Sequence, residues 1–465
     1  MNRTSTSRWV LGLTSVAALL VGLDATVVST ALTSIRAGLG ASGEQLEWMV
    51  NAYTLSFAVL MLTASALGDR FGRRRLFAVG LAVFGAASVW CALAPDAGWL
   101  IAARAVQGAG AAAVMPLALA LLGGAVPPEG RARALGTFTA VVGTSVPVGP
   151  LLGGAIADGL SWRWIFWLNV PIVAVLILAV VRLMSESRGA RVRIDVPGLL
   201  LGTGAAFALV FGLVRTEAVP LVAGVALVVA FVVVERRRAE PMLPMRLFAS
   251  RAFSAGNVAI FLLWASTFGS LYYMAQFLQV GLGSRPLVAG LQLMPWGAMT
   301  VLVPRLAGAL ISRFGERPFL VAGMVLHGGA MLWIAAVASP HGDYRQLILP
   351  LVLSGAGVAA GIPATQSAVL GAVAPADMGK ASGAYSTLRQ LGGAFGVAAL
   401  VAAFSAAGGL GTPQRFTDGF TAALVLSAVL AGGALIAGFV LPGRPGAAPA
   451  PVPPRNPRPE VADRA

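Results

Sequence analysis

Long apolar stretches, separated by short polar segments, run along the chain from residue 9 to residue 441. Most are close to the roughly 20 mainly apolar residues that a helix needs to cross a bilayer. Fourteen can be recognised, at 9–33, 46–68, 76–95, 98–123, 134–157, 164–183, 196–214, 219–234, 253–279, 286–310, 317–338, 346–370, 383–408 and 418–441. The pattern predicts an all-α polytopic membrane protein with about fourteen transmembrane helices.

The apolar stretches divide into two groups of six, with one pair between them. The polar sequence at 69–73 (DRFGR), after the second stretch, returns at 312–316 (SRFGE), after the tenth. Such a repeat indicates two related helical bundles in a 6+2+6 arrangement. The predicted units are an N-terminal six-helix bundle at 9–183, two extra central helices at 196–235, a C-terminal six-helix bundle at 253–441 and a disordered cytoplasmic tail at 442–465.

Composition supports a membrane location and argues against a nucleic-acid partner. Only 11% of residues are charged, and mean hydropathy is +0.83, whereas soluble domains carry about 25% charged residues. Of the 33 basic residues, 24 lie in segments on one side of the predicted membrane, six on the other and three within the stretches. By the positive-inside rule, both termini are predicted to be cytoplasmic, in the cell inner (plasma) membrane.

Two charged residues lie inside predicted spans. Asp24 is in the middle of the first, where an acid costs roughly 2.5–3.5 kcal/mol, so a functional role is the default interpretation. A carboxyl that gains and loses a proton suits proton coupling, and it could also pair with a cationic substrate; the alternative is a paired or water-facing acid with no transport role. Arg104, in the fourth span, cannot release its proton. It is expected either to tune a nearby acid such as Asp24 or to bind loop carbonyls, and the sequence leaves contact between the two open.

The fifth predicted span is rich in glycine and proline. Glycine allows helix backbones to approach closely, and proline permits a kink. Such a helix suits a moving seam between bundles, although plain tight packing is the alternative. The residues concerned are Gly143, Pro147, Gly149, Pro150, Gly153 and Gly154.

The polar turn after the second span combines an acid, a glycine and several arginines. Gly72 permits a positive φ, and Asp69 can interact with a helix N-terminus or with arginines. We interpret the turn as a charge latch that holds one conformation, whereas topology alone would explain only the arginines. The residues of this turn are Gly68, Asp69, Arg70, Gly72 and Arg73.

Two further polar positions are weaker candidates. His327, in the eleventh span, is either a proton relay or a packed helix residue. Arg389 is expected to form a network at the cytoplasmic face with Asp377 and Lys380, rather than a substrate site.

No enzymatic machinery is visible in the sequence. It contains no G-x-x-x-x-G-K-[ST] phosphate loop and, within the spans, no cluster of residues at metal-ligand spacing. Cys91 is the only cysteine. We therefore expect no enzyme activity, no metal and no cofactor, with a proton gradient as the energy source.

Several motifs together resemble a known family. Residues 23–32 (LDATVVSTAL) are similar to a first-span motif, 67–74 (LGDRFGRR) to an inner-loop motif, 104–110 (RAVQGAG) to a fourth-span motif and 143–154 to a fifth-span motif of exporters. The chain resembles the major facilitator superfamily and, within it, the fourteen-span drug:proton antiporters. Ser29, Thr33 and Ser312 depart from the usual Asn, Pro and Asp.

The resemblance implies roles for particular residues. It assigns Asp24, with Thr26 in the same motif, to the site that handles protons or cations. It links Arg104 to proton transfer, with Gln107 and Gly108 in the same motif.

The expected function is proton-coupled export (antiport) of small lipophilic drug-like or antibiotic molecules by a monomer in the lipid bilayer. Two alternatives stay open at this point. One is a transporter of the same fold for a specific metabolite such as a sugar, an amino acid or a siderophore, and the other is a non-transporting membrane sensor or scaffold. Asp24 is the only clear acid recognised within the spans, so neutral or monocationic substrates are expected.

Overall fold

The computed structural model describes residues 3–126, 128–188, 195–238, 241, 243–374 and 377–441. These ranges contain α-helices, one 3₁₀ helix (Met245–Ala249), one π-helix (Phe277–Gly281) and no strand. The all-α prediction is confirmed; the tail predicted at 442–465 lies outside the described residues. The α-helices are α1 Arg3–Leu39, α2 Gly43–Phe71, α3 Arg73–Ala92, α4 Ala97–Ala125, α5 Pro128–Gly143, α6 Ser145–Gly159, α7 Trp164–Trp167, α8 Asn169–Leu183, α9 Val196–Arg215, α10 Ala218–Arg237, α11 Arg251–Gln276, α12 Pro286–Gln292, α13 Met294–Phe314, α14 Glu316–Val337, α15 Arg345–Gly371, α16 Met378–Ala407 and α17 Pro413–Val440.

The number of membrane-spanning segments agrees with the apolar pattern. Thirteen segments in the described part of the chain are long and apolar enough to cross a bilayer. Gly43–Met61 and Thr63–Phe71, the two parts of α2, meet at a bend of 49° and make a fourteenth if they cross as one span.

Proline breaks two of the predicted spans into shorter helices. The fifth consists of α5 and α6, separated at Thr144, and the tenth consists of α12 and α13, separated at Leu293. Each break lies just before a proline, Pro147 or Pro295, whose missing N–H leaves the carbonyl four residues earlier without its helical donor. Both broken spans face the boundary between the two halves of the molecule. The missing backbone hydrogen bonds therefore lie where the halves meet.

Two ends of the bundle can be distinguished by their charge. We call the end at which α2 meets α3, around residues 69–75, the arginine-rich end. The opposite end, at which α6 finishes and α12 begins, is the arginine-poor end. Successive spans run alternately from one end to the other.

The buried apolar residues join the halves mainly at one end. At the arginine-poor end, one continuous core includes Leu32 and Phe166 from the first half and Tyr273 and Phe420 from the second. Towards the arginine-rich end, the first half has its own core, built from α1–α5 and α8. The second half has another, built from the 3₁₀ helix, α11 and α13–α17. Apolar packing therefore holds the two halves together at the arginine-poor end.

The two central helices lie at the side of this assembly. α9 packs where α2 and α16 meet, and Val210 of α9 shares a small core with Leu55 and Ala394. α10 packs mainly on α9 and leaves Val219 and Val222 80% and 70% exposed.

Candidate functional site

Helices α6 and α12 make a close seam between the halves at the arginine-poor end. A methyl group added at Gly290 would lie 2.6 Å from the Pro150 carbonyl oxygen, and one at Gly154 would overlap the backbone of Pro286. The absence of a side chain at these glycines lets the two backbones touch. Of the candidate seam residues, Pro150 and Gly154 therefore lie directly at the contact between halves.

Polar contacts reinforce the same seam. Arg285 lies 3.0 Å from Asp158 as an ion pair. The Gln279 side-chain amide donates to the Thr30 carbonyl oxygen at 3.0 Å, and the Thr33 hydroxyl donates to the Gln279 carbonyl oxygen. Thr33, one of the departures from the usual first-span motif, thus joins α1 to the second half.

The seam loosens towards the arginine-rich end. Near its middle, a methyl group at Gly297 would lie 2.7 Å from Pro147, whereas Cβ positions built at Gly143 and Gly308 have no neighbour within 4 Å. Leu306, on α13, is 68% exposed. The structure is therefore sealed at the arginine-poor end and separated at the other.

Two cavities lie in the middle of the molecule. One lies between α1, α2, α11 and α16 and is lined by Thr26, Ser29, Val50 and Tyr272, among others. The other lies within the second half, between α11 and α13–α15. Leu271 of α11 lines both. We call the first the central cavity, because both halves line it.

The Asp24 carboxylate is buried on another side of α1 and is fully engaged. It forms an ion pair with Arg104 of α4, and the two residues are 2% and 1% exposed. Its Oδ1 accepts from Gln107 Nε2 at 2.8 Å and from Asn169 Nδ2 at 3.1 Å. Charge-assisted bonds to both oxygens compensate for the loss of solvent.

Arg104 is held from several directions as well. Its Nε donates to the Met49 carbonyl oxygen at 3.1 Å, and its Nη1 donates to Gln107 Oε1 at 2.7 Å. The guanidinium lies 4.2 Å from the centre of the Tyr53 ring, within cation–π range. Arg104 and Asp24 are thus in direct contact, a point that the sequence alone left open.

The cluster around Asp24 has members that the sequence did not single out. Asn169, at the start of α8, donates to Asp24, and Ser88 accepts from Gln107 at 3.0 Å. Nothing in the local sequence pattern around Asn169 marked it as a partner of α1. Both carboxylate oxygens of Asp24 are engaged within this cluster, and Asp24 does not line the central cavity. In this conformation Asp24 is therefore not placed to pair with a cationic substrate.

Helix α1 links the Asp24 cluster, the central cavity and α6. The Thr26 hydroxyl, beside the cavity, donates to the Ser145 carbonyl oxygen at 3.1 Å, and the Thr30 hydroxyl donates to that of Pro150 at 3.2 Å. Methyl groups at Gly149 and Gly153 would overlap Thr26 and the Val27 carbonyl oxygen. A movement of α1 must therefore move α6.

Two more candidate glycines allow close packing within the first half. A methyl group at Gly108 would overlap the Tyr53 carbonyl oxygen, so Gly108 lets α4 approach α2 near Arg104. A methyl group at Gly68 would overlap the Leu117 side chain.

The polar turn at the arginine-rich end is tied within its own half. Arg73 Nε lies 2.7 Å from Asp69 Oδ1, and the Arg70 guanidinium lies over the Phe71 ring at 5.3 Å. Gly72 has φ +117°, which a residue with a side chain rarely adopts. A partner that the sequence did not indicate, Glu186, accepts from the Arg74 and Arg75 backbone N–H groups at the start of α3, at 2.9 and 3.2 Å. These contacts do not join the two halves.

His327 lies in a fully buried hydroxyl network of the second half. Its Nε2 is 2.8 Å from Ser266 Oγ and its Nδ1 is 2.9 Å from Ser354 Oγ. Ser266 also bonds to Ser427 at 2.7 Å. Both ring nitrogens are occupied, which is typical of a histidine that holds helices together.

We expect His327→Ala to destabilise the second half without removing proton coupling. The change leaves a cavity and unpaired hydroxyls, which should lower the free energy of unfolding by about 1–3 kcal/mol. Unfolding in mixed detergent–SDS micelles measures the loss, and proton release on substrate addition measures coupling. Ser405→Ala, at an exposed position of α16, is the control. If coupling vanished while stability held, the proton-relay interpretation would replace this one.

The network expected around Arg389 is not formed in the described part of the chain. Asp377 pairs with Arg246 at 2.6 Å. The Arg389 guanidinium lies 5.1 Å from the Trp264 ring centre instead. Among the described residues, no group of His, Cys, Asp and Glu has the arrangement of a metal site.

The described structure corrects the expectation that Asp24 is the only acid within the spans. Glu47, one turn into α2, is 6% exposed, and Glu235, near the end of α10, is 1% exposed. Polar residues at the ends of apolar stretches normally reach the membrane surface, so the sequence pattern concealed their burial.

Comparison with known proteins agrees with this architecture. The family model described as Major Facilitator Superfamily matches residues 14–307 and 256–463. The chain is 37% identical over 445 residues to the cephamycin export protein of Amycolatopsis lactamdurans, covering 92% of this chain and 91% of that protein. It is 36% identical over 406 residues to the puromycin resistance protein of Streptomyces alboniger, covering 84% and 80% respectively.

Solved structures show the same fold at low sequence identity. A peptide transporter in complex with sulfate superposes with a TM-score of 0.71 at 14% identity, covering 95% of this chain and 99% of that one. A D-xylose–proton symporter gives 0.64 at 16% identity, with coverages of 91% and 96%. With the matching family model and relatives along most of its length, the chain belongs to the major facilitator superfamily.

Proposed function

We propose that this protein is a proton-coupled exporter of small lipophilic drug-like or antibiotic molecules. The single observation that carries the proposal is the buried ion pair between Asp24 of α1 and Arg104 of α4, because α1 also lines the central cavity and contacts the seam. The names of the relatives, which describe export of cephamycin and resistance to puromycin, support the substrate class.

The proposed orientation places the arginine-rich end in the cytoplasm of a cell with this protein in its plasma membrane. The distribution of basic residues supports this orientation and puts both termini inside. The protein would act as a monomer, with no cofactor and no enzymatic activity, driven by the proton gradient. In this orientation the seam closes the outside and the separated end opens to the cytoplasm.

The transport cycle follows from the charge of Asp24. In the inward-open state, deprotonated Asp24 is paired with Arg104 while substrate enters the central cavity. After the switch to an outward-open state, a proton binds Asp24, the ion pair is lost, and α1 shifts relative to α6 as substrate leaves. Return to the inward-open state releases the proton to the cytoplasm and restores the pair.

Proton flux in inside-out vesicles tests this cycle. Adding a transported compound should partly collapse a preset pH gradient with the native chain, and Asp24→Asn should reduce this flux at least about 100-fold, because no group remains to carry the proton. Asp418→Asn, at an exposed position of α17, is the matched control and should behave like the native chain. Samples are matched for folded protein by their binding of the compound.

The same assay can overturn the proposal. Full proton flux in Asp24→Asn would move the coupling site elsewhere in the chain. Substrate accumulation that never depends on the pH gradient, in native protein shown to bind the compound, would end the claim of proton-coupled export.

A further inference from the structure

An arginine without a counter-charge lies inside a span of the second half. Arg389 of α16 is partly buried. Its Nε has no hydrogen-bond partner among the described residues, and no described carboxylate lies within ion-pair distance of its guanidinium. The guanidinium lies 5.1 Å from the centre of the Trp264 ring. A cation–π contact offsets only part of the cost of an arginine inside a span, and such an arginine normally has a charged or polar partner.

The acids that could serve Arg389 are already paired or lie at another depth. Asp377, the nearest acid in sequence, pairs with Arg246, and Asp24 is enclosed in its own cluster. Glu47 lies near the start of α2, towards the arginine-poor end, whereas Arg389 lies in the half of α16 that is nearer the arginine-rich end. In this conformation, a counter-charge for Arg389 is therefore expected to come from outside the protein.

The helix face that carries Arg389 leads to the central cavity. Arg389, Gly393 and Val397 are spaced four positions apart and share one face of α16, and Val397 lines the cavity. Trp264 and Phe268 have the same spacing on α11, and Phe268 also lines the cavity. A methyl group added at Gly393 would lie 3.3 Å from Trp264 Cδ1 and 3.5 Å from Phe268 Cγ. Arg389 and Trp264 therefore lie side by side, about two helical turns from the cavity wall at Val397.

This position is on the open side of the central cavity. Helix α16 begins at the arginine-rich end, so Arg389 lies between that end and Val397. The two halves are separated at the same end. A molecule that enters there reaches the level of Arg389 before it reaches the central cavity.

We propose that Arg389 and Trp264 form an anion-binding site at the entrance to the central cavity, which binds the carboxylate of an aromatic or lipophilic substrate. The guanidinium Nη groups would donate to both carboxylate oxygens, because the two groups match in a bidentate arrangement. Trp264 would hold the guanidinium from one face, and the apolar part of the substrate would lie against Phe268 and Val397. This inference rests on the proposed function for the use of the cavity, and it extends the expected substrates from neutral or monocationic molecules to organic acids.

Equilibrium binding to purified protein in a neutral detergent, with no pH gradient, tests the assignment. The probes are two fluorescent acids, dansylglycine and 1-pyrenebutyric acid, each compared with its neutral primary amide. Native protein should prefer each acid. Arg389→Gln should weaken binding of the acids about tenfold or more, while changing binding of the amides less than about twofold. Arg389→Lys should retain part of the preference, since it keeps the charge and loses the planar fork.

Lys380→Gln is the matched control, since it removes a positive charge from the same helix nearer the arginine-rich end. It should bind all four probes like the native chain, which separates a local site from general attraction of anions to a basic surface. An unfolding measurement on each variant separates lost recognition from lost folding.

The inference is overturned if native protein shows no preference for either acid, or if Arg389→Gln keeps the preference. If the preference is absent and binding of dihexanoyl phosphatidylglycerol depends on Arg389, the anion at this site is a lipid headgroup instead of a substrate carboxylate. Each of these results leaves proton-coupled export through Asp24 standing, because vesicle flux tests that separately.

Discussion

Asp24→Asn is expected to destabilise this protein more than Arg104→Gln, and the double variant is expected to recover much of the loss without recovering transport. Removing one member of a buried ion pair typically costs about 3–5 kcal/mol, because the other charge stays buried and unpaired. Arg104 cannot release its proton once Asp24 is gone. Asp24 can take up a proton once Arg104 is gone, so the cost of Arg104→Gln should be smaller.

The double variant distinguishes pairing from mere proximity. With both charges removed, Gln107 and Asn169 can still bond to neutral amides at positions 24 and 104. We therefore expect the double variant to lose much less free energy of unfolding than the sum of the two single losses, measured in mixed detergent–SDS micelles as a double-mutant cycle. Strictly additive losses would show that the Asp24–Arg104 contact contributes little.

Transport in the same three variants separates stability from mechanism. All three lack the Asp24–Arg104 pair, because either the carboxyl or the guanidinium is missing, so each should lose proton flux about 100-fold or more, including the stable double variant. Asp418→Asn again serves as the surface control. A double variant that is both stable and active would contradict the coupling role of the pair.

The sequence predicted the spans and the embedded charges well, because each depends on local pattern. A stretch of about 20 apolar residues leaves few alternatives to a spanning helix, and a charge inside such a stretch stands out by itself. Contact between Asp24 and Arg104 could not be predicted, because it depends on how α1 and α4 pack. Only the prolines that follow them, Pro147 and Pro295, indicated the helix breaks at Thr144 and Leu293.

Residues at the ends of spans were the ones that sequence reasoning missed. Glu47 and Glu186 both lie where polar residues are normal, so neither departs from the pattern. Glu47 becomes unusual only because the folded chain buries it, and Glu186 only when it meets the N-terminus of α3. Asn169 likewise gains its role from α1, which is 145 residues away in sequence. Tertiary packing, rather than local pattern, selects these residues.

Gly154→Val is expected to prevent closure of the arginine-poor end and to abolish export. Even the Cβ would lie 2.9 Å from the Pro286 carbonyl carbon and 3.1 Å from Leu287 Cα, and backbone atoms cannot rotate away as a side chain can. Overpacking of this kind typically costs about 1–3 kcal/mol. If only the sealed state is destabilised by this amount, the equilibrium between the sealed and unsealed states shifts towards the unsealed state by roughly 5- to 150-fold.

Gly143→Val is the matched control for this change, because it adds the same side chain to the same broken span where no atom lies within 4 Å of the new Cβ. A reporter cysteine at Leu287, in a Cys91→Ser background, measures the seam directly through its labelling by an impermeant maleimide from the arginine-poor side. Gly154→Val should raise the labelling rate and stop export, while Gly143→Val should change neither.

Equal effects of the two valines would mean that the span tolerates no β-branched residue. Unchanged labelling in Gly154→Val would mean that α6 and α12 do not form the outer closure. The contrast between the two positions therefore tests whether the seam opens and closes during transport. If the contact between α6 and α12 were static, Gly154→Val would strain it without raising the labelling rate at position 287.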